Sequence, residues 1–398
     1  MQQRTFHIMA KPVSHQCNLK CDYCFYLEKE AYYPSQDRMS IEQLEHYVKS
    51  YIEGSPQPHV DFAWQGGEPT LAGLDFYKEA VRLQQKYGAG KQISNSFQTN
   101  GIAINKQWAE FFAKNQFLIG ISIDGDASIH DKYRISTNGK PTFERVRHVI
   151  QLLKEHGVAF NTLTVVNDAN WNQGKQVYQT LKQLGSEHMQ FIPVVEQDHV
   201  HEHAFNPSAT NQVTPFSVPR HGYGQFMTEV FDEWVKHDLG KIYIQAFEML
   251  LAQKLGYPAG LCIFSKTCGD NLIVEANGDV YSCDHFVYPQ NKVGNMADKS
   301  LAELAASPEQ TQFGNKKFET LTMQCKQCPY LTQCYGGCPK QRIDEIGDGE
   351  HHQNYLCLSY IHLFEYTQSF FSRIAEKILS EHKNQSSHTH HQQKIHNS

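Results

Sequence analysis

Six short runs of β-forming residues alternate with segments of helical hydrophobic period between Phe6 and about Val195. The runs are FHIMAKP, HVDFAW, QISNSFQ, FLIGISI, VAFNTLTVV and MQFIPVV. Strand and helix in this alternation favour a parallel sheet covered by helices. Six units are fewer than a closed eight-unit barrel needs, so the pattern predicts a partly open (β/α)6 barrel, with a doubly wound sheet as the alternative. In both folds the chemistry lies at the C-terminal ends of the strands.

One helix start is marked by its capping residues. Ser40, with Gln43 three residues later, forms a capping-box pattern. The apolar residues of this helix recur on one predicted face: Ile41, Leu44, Val48 and Tyr51. A helix directly after the first strand supports the α/β interpretation.

The pattern weakens after the sixth strand. Residues 196–220 are polar, contain proline and lack a period, which predicts a long connection between two bodies. We therefore predict four segments: a barrel at 1–220, a helical bridge at 221–261, a cysteine-rich domain with a closing helix at 262–382, and a disordered histidine-rich tail at 383–398.

Composition excludes several classes of protein. The chain has 398 residues and a mass of 45.7 kDa, with 40% hydrophobic and 20% charged residues, and no apolar run approaches a membrane span. A net charge of -6 gives no basic face for nucleic acid. The N-terminal residues lack the apolar core of a secretory signal, so we expect a cytoplasmic protein. Its 11 cysteines then indicate metal or redox chemistry rather than a disulfide scaffold.

The cysteines fall into two groups. Cys17, Cys21 and Cys24 form CxxxCxxC just after the first strand. The other eight are numerous enough for two sites of four thiolates: Cys262, Cys268, Cys283, Cys325, Cys328, Cys334, Cys338 and Cys357. Three thiolates leave one metal position open, which indicates a catalytic centre. The alternative is structural zinc, with a histidine such as His15 completing the first site.

A second motif, WQGGEP, follows the second strand at Trp64 to Pro69. Paired glycines at a strand end let backbone groups approach a ligand, and an adjacent carboxylate can hold an ammonium group. Together the two motifs resemble the radical S-adenosylmethionine (SAM) superfamily, in which three cysteines hold a 4Fe-4S cluster and SAM binds the fourth iron. The resemblance implies SAM contacts at these residues: Tyr23, Gly66, Gly67, Glu68, Ser122, Arg134 and Val195.

The cysteine-rich segment resembles the SPASM-type domain of radical SAM enzymes that act on peptides. That resemblance implies two auxiliary 4Fe-4S clusters with interleaved ligands. One set would be Cys262, Cys268, Cys283 and Cys338, and the other Cys325, Cys328, Cys334 and Cys357. The run NLIVEANGDVYSC also predicts a β-hairpin, because Asn277-Gly278 favours a two-residue turn.

The motifs AKPVSHQCNLKCDYCFYLEKE, FAWQGGEPTLAG, SIDGDASIHDKYR and SCDHFVYPQNKVGN together are similar to the anaerobic sulfatase-maturating enzymes. The similarity implies oxidation of a cysteine or serine in a sulfatase peptide to Cα-formylglycine. Asp284 would accept the substrate proton, and Gln65 would contact the substrate backbone. The partners would be a sulfatase with a Cys-x-Pro-x-Arg or Ser-x-Pro-x-Arg motif and an electron donor such as flavodoxin or ferredoxin.

Two alternatives stay open on the sequence. A radical SAM enzyme that crosslinks another ribosomally made peptide would keep every cluster motif. A non-catalytic, zinc-rich interaction protein would keep the cysteines but would contain neither iron nor sulfide.

Overall fold

The predicted α/β architecture is confirmed, and each of the six β-rich runs contains a strand. The computed structural model describes residues 5–27, 29–32, 38–197, 213–345 and 352–395. Its strands are β1 (His7–Lys11), β2 (His59–Trp64), β3 (Gln92–Thr99), β4 (Leu118–Ser122), β5 (Phe160–Val166), β6 (His188–Pro193), β7 (Tyr243–Ile244), β8 (Asn271–Glu275), β9 (Asp279–Tyr281), β10 (Lys292–Asn295), β11 (Arg342–Glu345) and β12 (His352–Asn354).

Between β1 and β7, helices alternate with the strands as a βα repeat requires. The helices of the chain are α1 (Lys29–Tyr32), α2 (Ile41–Gly54), α3 (Leu74–Tyr87), α4 (Lys106–Lys114), α5 (Ala127–Tyr133), α6 (Phe143–Glu155), α7 (Gly174–Gln183), α8 (Gly222–His237), α9 (Gln245–Lys254), α10 (Leu301–Ala305), α11 (Pro308–Glu319), α12 (Met323–Lys326), α13 (Leu331–Cys334) and α14 (Cys357–Ile395). Helices α10 to α13 follow one another without an intervening strand. No helix in the described ranges is both long enough and apolar enough to cross a bilayer.

A single ten-stranded sheet runs through most of the molecule, in the order β10-β9-β8-β1-β2-β3-β4-β5-β6-β7. Strands β1 to β6 pair in parallel, and β7 continues the sheet beside β6. The other side of β1 pairs in parallel with β8, where Lys11 lies opposite Glu275. Since β8 occupies the edge that β6 would need, the barrel is open.

The predicted hairpin is β8-β9, but its turn differs from the predicted two-residue turn. The last paired residues are Val274 and Val280, and Gly278 N–H donates to the Glu275 carbonyl at 2.9 Å. Gly278 has a φ of 85°, whereas Asn277 is outside the positive-φ region. Side-chain capping explains the longer loop, because Asn277 Oδ1 accepts from the Asp279 N–H at 3.0 Å.

The predicted capping box at the start of α2 is present. Ser40 Oγ accepts from Gln43 N–H at 3.1 Å, and Gln43 Oε1 accepts from Ser40 N–H at 2.8 Å. The buried face consists of Leu44, Tyr47, Val48, Tyr51 and Ile52. Ile41, which the sequence places on that face, is 50% exposed and is not among the buried residues of the helix.

Both ends of the predicted connection at 196–220 fold back on the barrel. Thr214 N–H donates to the Glu196 carbonyl at 2.8 Å, and Val218 N–H donates to the Val194 carbonyl at 3.0 Å. Residues 198–212 lie outside the described residues. Helix α8 follows at Gly222, so the barrel passes into the next segment without an exposed linker over 213–221.

The closing helix α14 packs on α8 through aromatic side chains. The ring of Phe231 lies 5.3 Å from Phe370 and 5.8 Å from Phe371, and the ring of Trp234 lies 6.2 Å from Phe370. The helix ends at Ile395, whereas the sequence predicts that it ends near His382. Residues 383–395 contain neither glycine nor proline, so no helix breaker stops it there.

Candidate functional site

The loop after β1 carries the three N-terminal cysteines to one cavity. Cys17, Cys21 and Cys24 all line this cavity, which has a volume of about 240 Å³ and lies at the C-terminal ends of the barrel strands. Cys17 Sγ accepts hydrogen bonds from the Leu19 N–H at 3.4 Å and from Asn100 Nδ2 at 3.6 Å. Burial raises the pKa of Cys17 and of Cys21 to about 12, so iron must displace the thiol protons on binding. Three soft thiol ligands in the lining of one cavity match the protein ligands of an iron-sulfur cluster that has one open iron.

The paired glycines fix the position of this loop. Gly67 N–H donates to the Ser14 carbonyl at 2.7 Å, and Glu68 N–H donates to the Gln16 carbonyl at 2.8 Å. A Cβ atom on Gly67 would lie 2.1 Å from the Gln16 carbonyl oxygen, and Gly66 has a φ of 137°. Both glycines also line the cavity. Because glycine has no side chain, the backbone of the WQGGEP turn can approach the cysteine loop more closely than it could with any other residue at these positions.

Glu68 lies behind the cavity wall, with its side chain fully buried. Its carboxylate accepts from the Thr70 N–H at 3.0 Å, from the Thr99 hydroxyl at 2.8 Å and from the Asn100 N–H at 2.8 Å. Burial raises the pKa of Glu68. These bonds join the end of β2 to the end of β3. Contact between Glu68 and the amino group of SAM stays a prediction.

The opposite wall is built around Asp124, which the sequence analysis missed. Arg134 Nε donates to Asp124 Oδ2 at 2.9 Å, and the Tyr23 hydroxyl donates to the same oxygen. Arg134 also lies over the Tyr23 ring, 5.4 Å from its centroid. Tyr23, Ser122, Arg134 and Val195 all line the cavity, and their contact with SAM stays a prediction. The available signal was position, since Asp124 follows Ser122 by two residues at the end of β4.

Gln65 presents an acceptor to the cavity. Its Oε1 is buried and has no hydrogen-bond partner among the described residues. A second polar feature is the pair of Lys340 and Glu196, joined at 2.8 Å, with the Lys340 ammonium 4.8 Å from the centroid of the Phe25 ring. The cavity thus combines one free acceptor with a charged pair.

Asp284 lies beside the cavity, at the end of the hairpin. Its Oδ1 is 2.6 Å from Lys11 Nζ and accepts from the Tyr26 hydroxyl at 2.8 Å. Burial alone would raise the pKa of Asp284, but the positive charge of Lys11, the neighbouring His285 and these hydrogen bonds outweigh burial and lower it. His285 lines the cavity, and its Nδ1 lies 3.5 Å from Cys338 Sγ. One-fifth of the Asp284 side chain remains exposed.

The ionic partners of Asp284 form a buried cluster that was not predicted. Lys11 has no exposed side-chain surface, and its ammonium lies 4.5 Å from the centroid of the Tyr26 ring. Glu275, opposite Lys11 in the sheet, accepts from Ser14 Oγ at 2.5 Å, and burial raises its pKa to about 7. No local pattern reveals this pairing, since Lys11 and Glu275 meet only through the register of β1 and β8.

The remaining cysteines lie in two neighbourhoods of the C-terminal segment, and their division into two cluster ligand sets stays a prediction. Burial raises the pKa of Cys268, Cys283 and Cys338, and nearby thiols of the same set raise it further. The second set lines one enclosed cavity of about 50 Å³: Cys325, Cys328, Cys334 and Cys357. Four thiols around one enclosed space match the donor set of a 4Fe-4S cluster.

Comparison with known families gives two matches along the chain. The Radical SAM superfamily matches residues 12–181, and an iron-sulfur cluster-binding domain, SPASM, matches residues 262–329. These ranges contain the N-terminal cysteine loop and most of the C-terminal cysteines.

Relatives at substantial identity cover nearly the whole chain. A serine-type anaerobic sulfatase-maturating enzyme of Bacteroides thetaiotaomicron is 41% identical over 385 residues, covering 95% of this chain and 93% of its own. A cysteine-type anaerobic sulfatase-maturating enzyme of Clostridium novyi is 33% identical over 380 residues, covering 94% and 98%. The solved structure of native anSMEcpe with bound AdoMet and Cp18Cys peptide has a TM-score of 0.82 and 34% identity, covering 94% of this chain and 99% of its own.

Proposed function

Because the chain belongs to the family of anaerobic sulfatase-maturating enzymes, we propose that it oxidises one cysteine or serine of a sulfatase polypeptide to Cα-formylglycine. It is a radical SAM enzyme that uses SAM and three iron-sulfur clusters. The target motif would be Cys-x-Pro-x-Arg or Ser-x-Pro-x-Arg, and a flavodoxin or ferredoxin would supply electrons. The reaction would take place in the cytoplasm, where thiols stay reduced.

The observation that supports this proposal is a single cavity bordered by the three cluster cysteines and by the proposed proton acceptor. Cys17, Cys21 and Cys24 line it, and Asp284 lies beside it between Tyr26 and His285. When bound, the first cluster and SAM supply the one-electron chemistry that removes a hydrogen atom from Cβ of the target residue. The substrate radical would then lose one electron to an oxidised iron-sulfur cluster and one proton, so the protein must orient the target and accept that proton. With a cysteine target, water would hydrolyse the resulting thioaldehyde and release hydrogen sulfide.

The chain's own residues would divide these tasks. Gln65 Oε1 would accept an N–H of the substrate backbone, since it has no hydrogen-bond partner among the described residues. Asp284 would take the proton of the substrate thiol or hydroxyl. Lys11 and Tyr26 hold its Oδ1, so the carboxylate is fixed before the substrate arrives.

The test is a peptide assay under anaerobic conditions. Reduced, cluster-loaded protein is incubated with SAM and with short peptides of the two motif types, and the products are weighed by mass spectrometry. We expect an aldehyde at the cysteine or the serine, together with deoxyadenosine. SAM cleavage without aldehyde on either peptide, or a crosslinked peptide, would contradict the proposed reaction.

The role of Asp284 is tested by Asp284→Asn. A positioned general base contributes about 10²–10⁴ in rate, so we expect aldehyde formation to fall at least about 100-fold. Iron content and deoxyadenosine formation should be retained. Asp75→Asn is the matched control, because the Asp75 side chain is 94% exposed. Unchanged turnover in Asp284→Asn would remove Asp284 from the mechanism.

A further inference from the structure

A tight turn joins the two predicted auxiliary ligand sets. Cys334, of one set, and Cys338, of the other, are separated by three residues that all lie in the left-handed region: Tyr335, Gly336 and Gly337 have φ values of 45°, 70° and 61°. The spacing between the two sites therefore depends on this turn.

The buried side chain of Arg342 holds the turn. Its Nε donates to the Gly336 carbonyl at 3.1 Å, and Nη2 donates to the Tyr335 carbonyl at 2.9 Å. Nη1 donates to the Lys317 carbonyl at 2.7 Å and to Thr320 Oγ1 at 3.2 Å. Only 7% of Arg342 is exposed. Every one of these acceptors is neutral, so within the described residues no carboxylate balances the guanidinium.

An unbalanced cation inside a protein is costly unless anions lie nearby. Burial lowers the pKa of Arg342, and the ionisable groups that oppose this effect are thiols of both predicted sets: Cys325 and Cys334 from one, Cys268 and Cys338 from the other. Four thiolates make a 4Fe-4S cluster anionic, and reduction adds a further negative charge. A fixed positive charge beside the cluster stabilises the reduced form and raises the reduction potential.

Lys317 is a second cation near the auxiliary ligands and provides a contrast to Arg342. Its Nζ donates to three carbonyls of one loop, at Cys262 (2.6 Å), Ile263 (2.9 Å) and Ser265 (2.5 Å). The thiols that act on its charge are those of a single set: Cys262, Cys268 and Cys338. Lys317 therefore faces one auxiliary site, whereas Arg342 faces two.

We propose that Arg342 is a positioning residue shared by the two auxiliary clusters, which fixes the Cys334–Cys338 turn and raises the reduction potentials of both. The proposal rests on the two ligand sets of the proposed function. A higher potential makes each cluster a better one-electron acceptor, and one shared charge shifts the two clusters together.

The experiment is a reductive titration followed by electron paramagnetic resonance. Replacing Cys17, Cys21 and Cys24 with alanine leaves only the auxiliary clusters, so neither SAM nor peptide is needed. In that background, Arg342→Gln should lower the equilibrium constant for reduction of each cluster about tenfold. This change lowers each reduction potential by about 59 mV for a one-electron couple. Arg342→Lys should recover most of the shift, because it restores the charge. Iron and sulfide content would show separately that two auxiliary clusters assemble in this background.

Two controls separate charge from geometry. Asn354 Nδ2 donates to the Gly336 carbonyl at 3.3 Å and to the Cys338 carbonyl at 3.2 Å, so Asn354→Ala loosens the same turn without removing a charge. It should leave both potentials near their original values. Lys317→Met should shift the potential of one cluster only. An Asn354→Ala shift as large as that of Arg342→Gln would overturn the proposal.

A second pair of variants covers the case in which Arg342→Gln fails to assemble its clusters. Thr320→Asp places a carboxylate beside Nη1 and neutralises the guanidinium, while Thr320→Asn keeps the hydrogen bond and adds no charge. We expect Thr320→Asp to lower both potentials and Thr320→Asn to leave them unchanged. Equal potentials in these two variants, or in Arg342→Gln and its parent, would show that Arg342 does not tune the clusters.

Discussion

The buried carboxyl group of Glu275 ties the stability of the protein to pH. Its side chain is 1% exposed, and burial raises its pKa from the ordinary 4.5 to about 7. Below about pH 4.5 the group is protonated in the folded and the unfolded chain alike. Between about 4.5 and 7 the folded chain keeps the proton and the unfolded chain releases it. This contribution to the unfolding free energy is therefore lost as pH rises through that window.

Glu275→Gln should remove this pH dependence. The free energy of unfolding of the variant minus that of the parent should increase by up to about 3 kcal/mol from about pH 5 to pH 8. The size follows because one pKa unit corresponds to about 1.4 kcal/mol. The measurement is denaturant unfolding of both proteins across that range without oxygen. Glu42→Gln, at an exposed position, should follow the parent curve. Parallel curves for Glu275→Gln and the parent would contradict the assignment.

At single residues, the sequence offered more for the cysteines than for the residues that support the site. Cysteine spacing marks the candidate ligands, while their division into two sets was implied by the SPASM resemblance and stays a prediction. Asp124 and Lys11 were missed because their roles depend on partners brought close by the fold: Arg134 for one, and Asp284 for the other. Pairs of residues that are distant in sequence produce no periodic pattern from which they could be predicted.

Among the connecting elements, the turn after β2 that carries WQGGEP shapes the N-terminal cysteine loop. The Gly67 N–H donates to Ser14 at 2.7 Å, while the space above its Cα is filled by the carbonyls of His15 and Gln16. Backbone carbonyls cannot move aside as a flexible side chain can. A methyl group at Gly67 must therefore displace the loop that leads into Cys17.

Gly67→Ala should selectively lose the N-terminal cluster. We expect iron and sulfide to fall by about a third, because one of three similar clusters is affected. The spectral change caused by SAM should disappear, while the auxiliary signals remain. Gly260→Ala is the control, since a Cβ atom there meets no atom within 4 Å. Full iron content and a normal response to SAM in Gly67→Ala would refute the steric argument.

Element boundaries were predictable wherever a local interaction sets them. The start of α2 follows from Ser40 and Gln43, because the side chain of each accepts a hydrogen bond from the backbone N–H of the other. The hairpin turn was predicted as a two-residue type because Asn-Gly usually forms one. Here the Asn277 side chain bonds to Asp279 and stabilises a longer loop, a choice that the dipeptide alone does not reveal.

In the molecule as a whole, the cysteine-rich segment completes the sheet of the barrel. The sequence predicts two bodies joined by a connection, and that division stays a prediction. Strand β8 hydrogen-bonds along all of β1, from His7 to Lys11, and α14 covers α8. The proton acceptor proposed at Asp284 is thereby anchored to the first barrel strand through Lys11. The barrel and the hairpin build the site jointly.

A chain ending at residue 261 should consequently fail as an independent barrel. It would expose the hydrogen-bonding edge of β1 and the aromatic face of α8 around Phe231, both of which favour association. We expect it to aggregate, or to exchange the β1 amide hydrogens far faster than the full chain, as hydrogen-exchange mass spectrometry would report. Removing residues 383–398 is the matched truncation, because the last described core residue of α14 is Ala375. That variant should stay monodisperse and keep its clusters. A monodisperse 1–261 fragment that holds a cluster, responds to SAM and protects β1 would show that the barrel does not need β8.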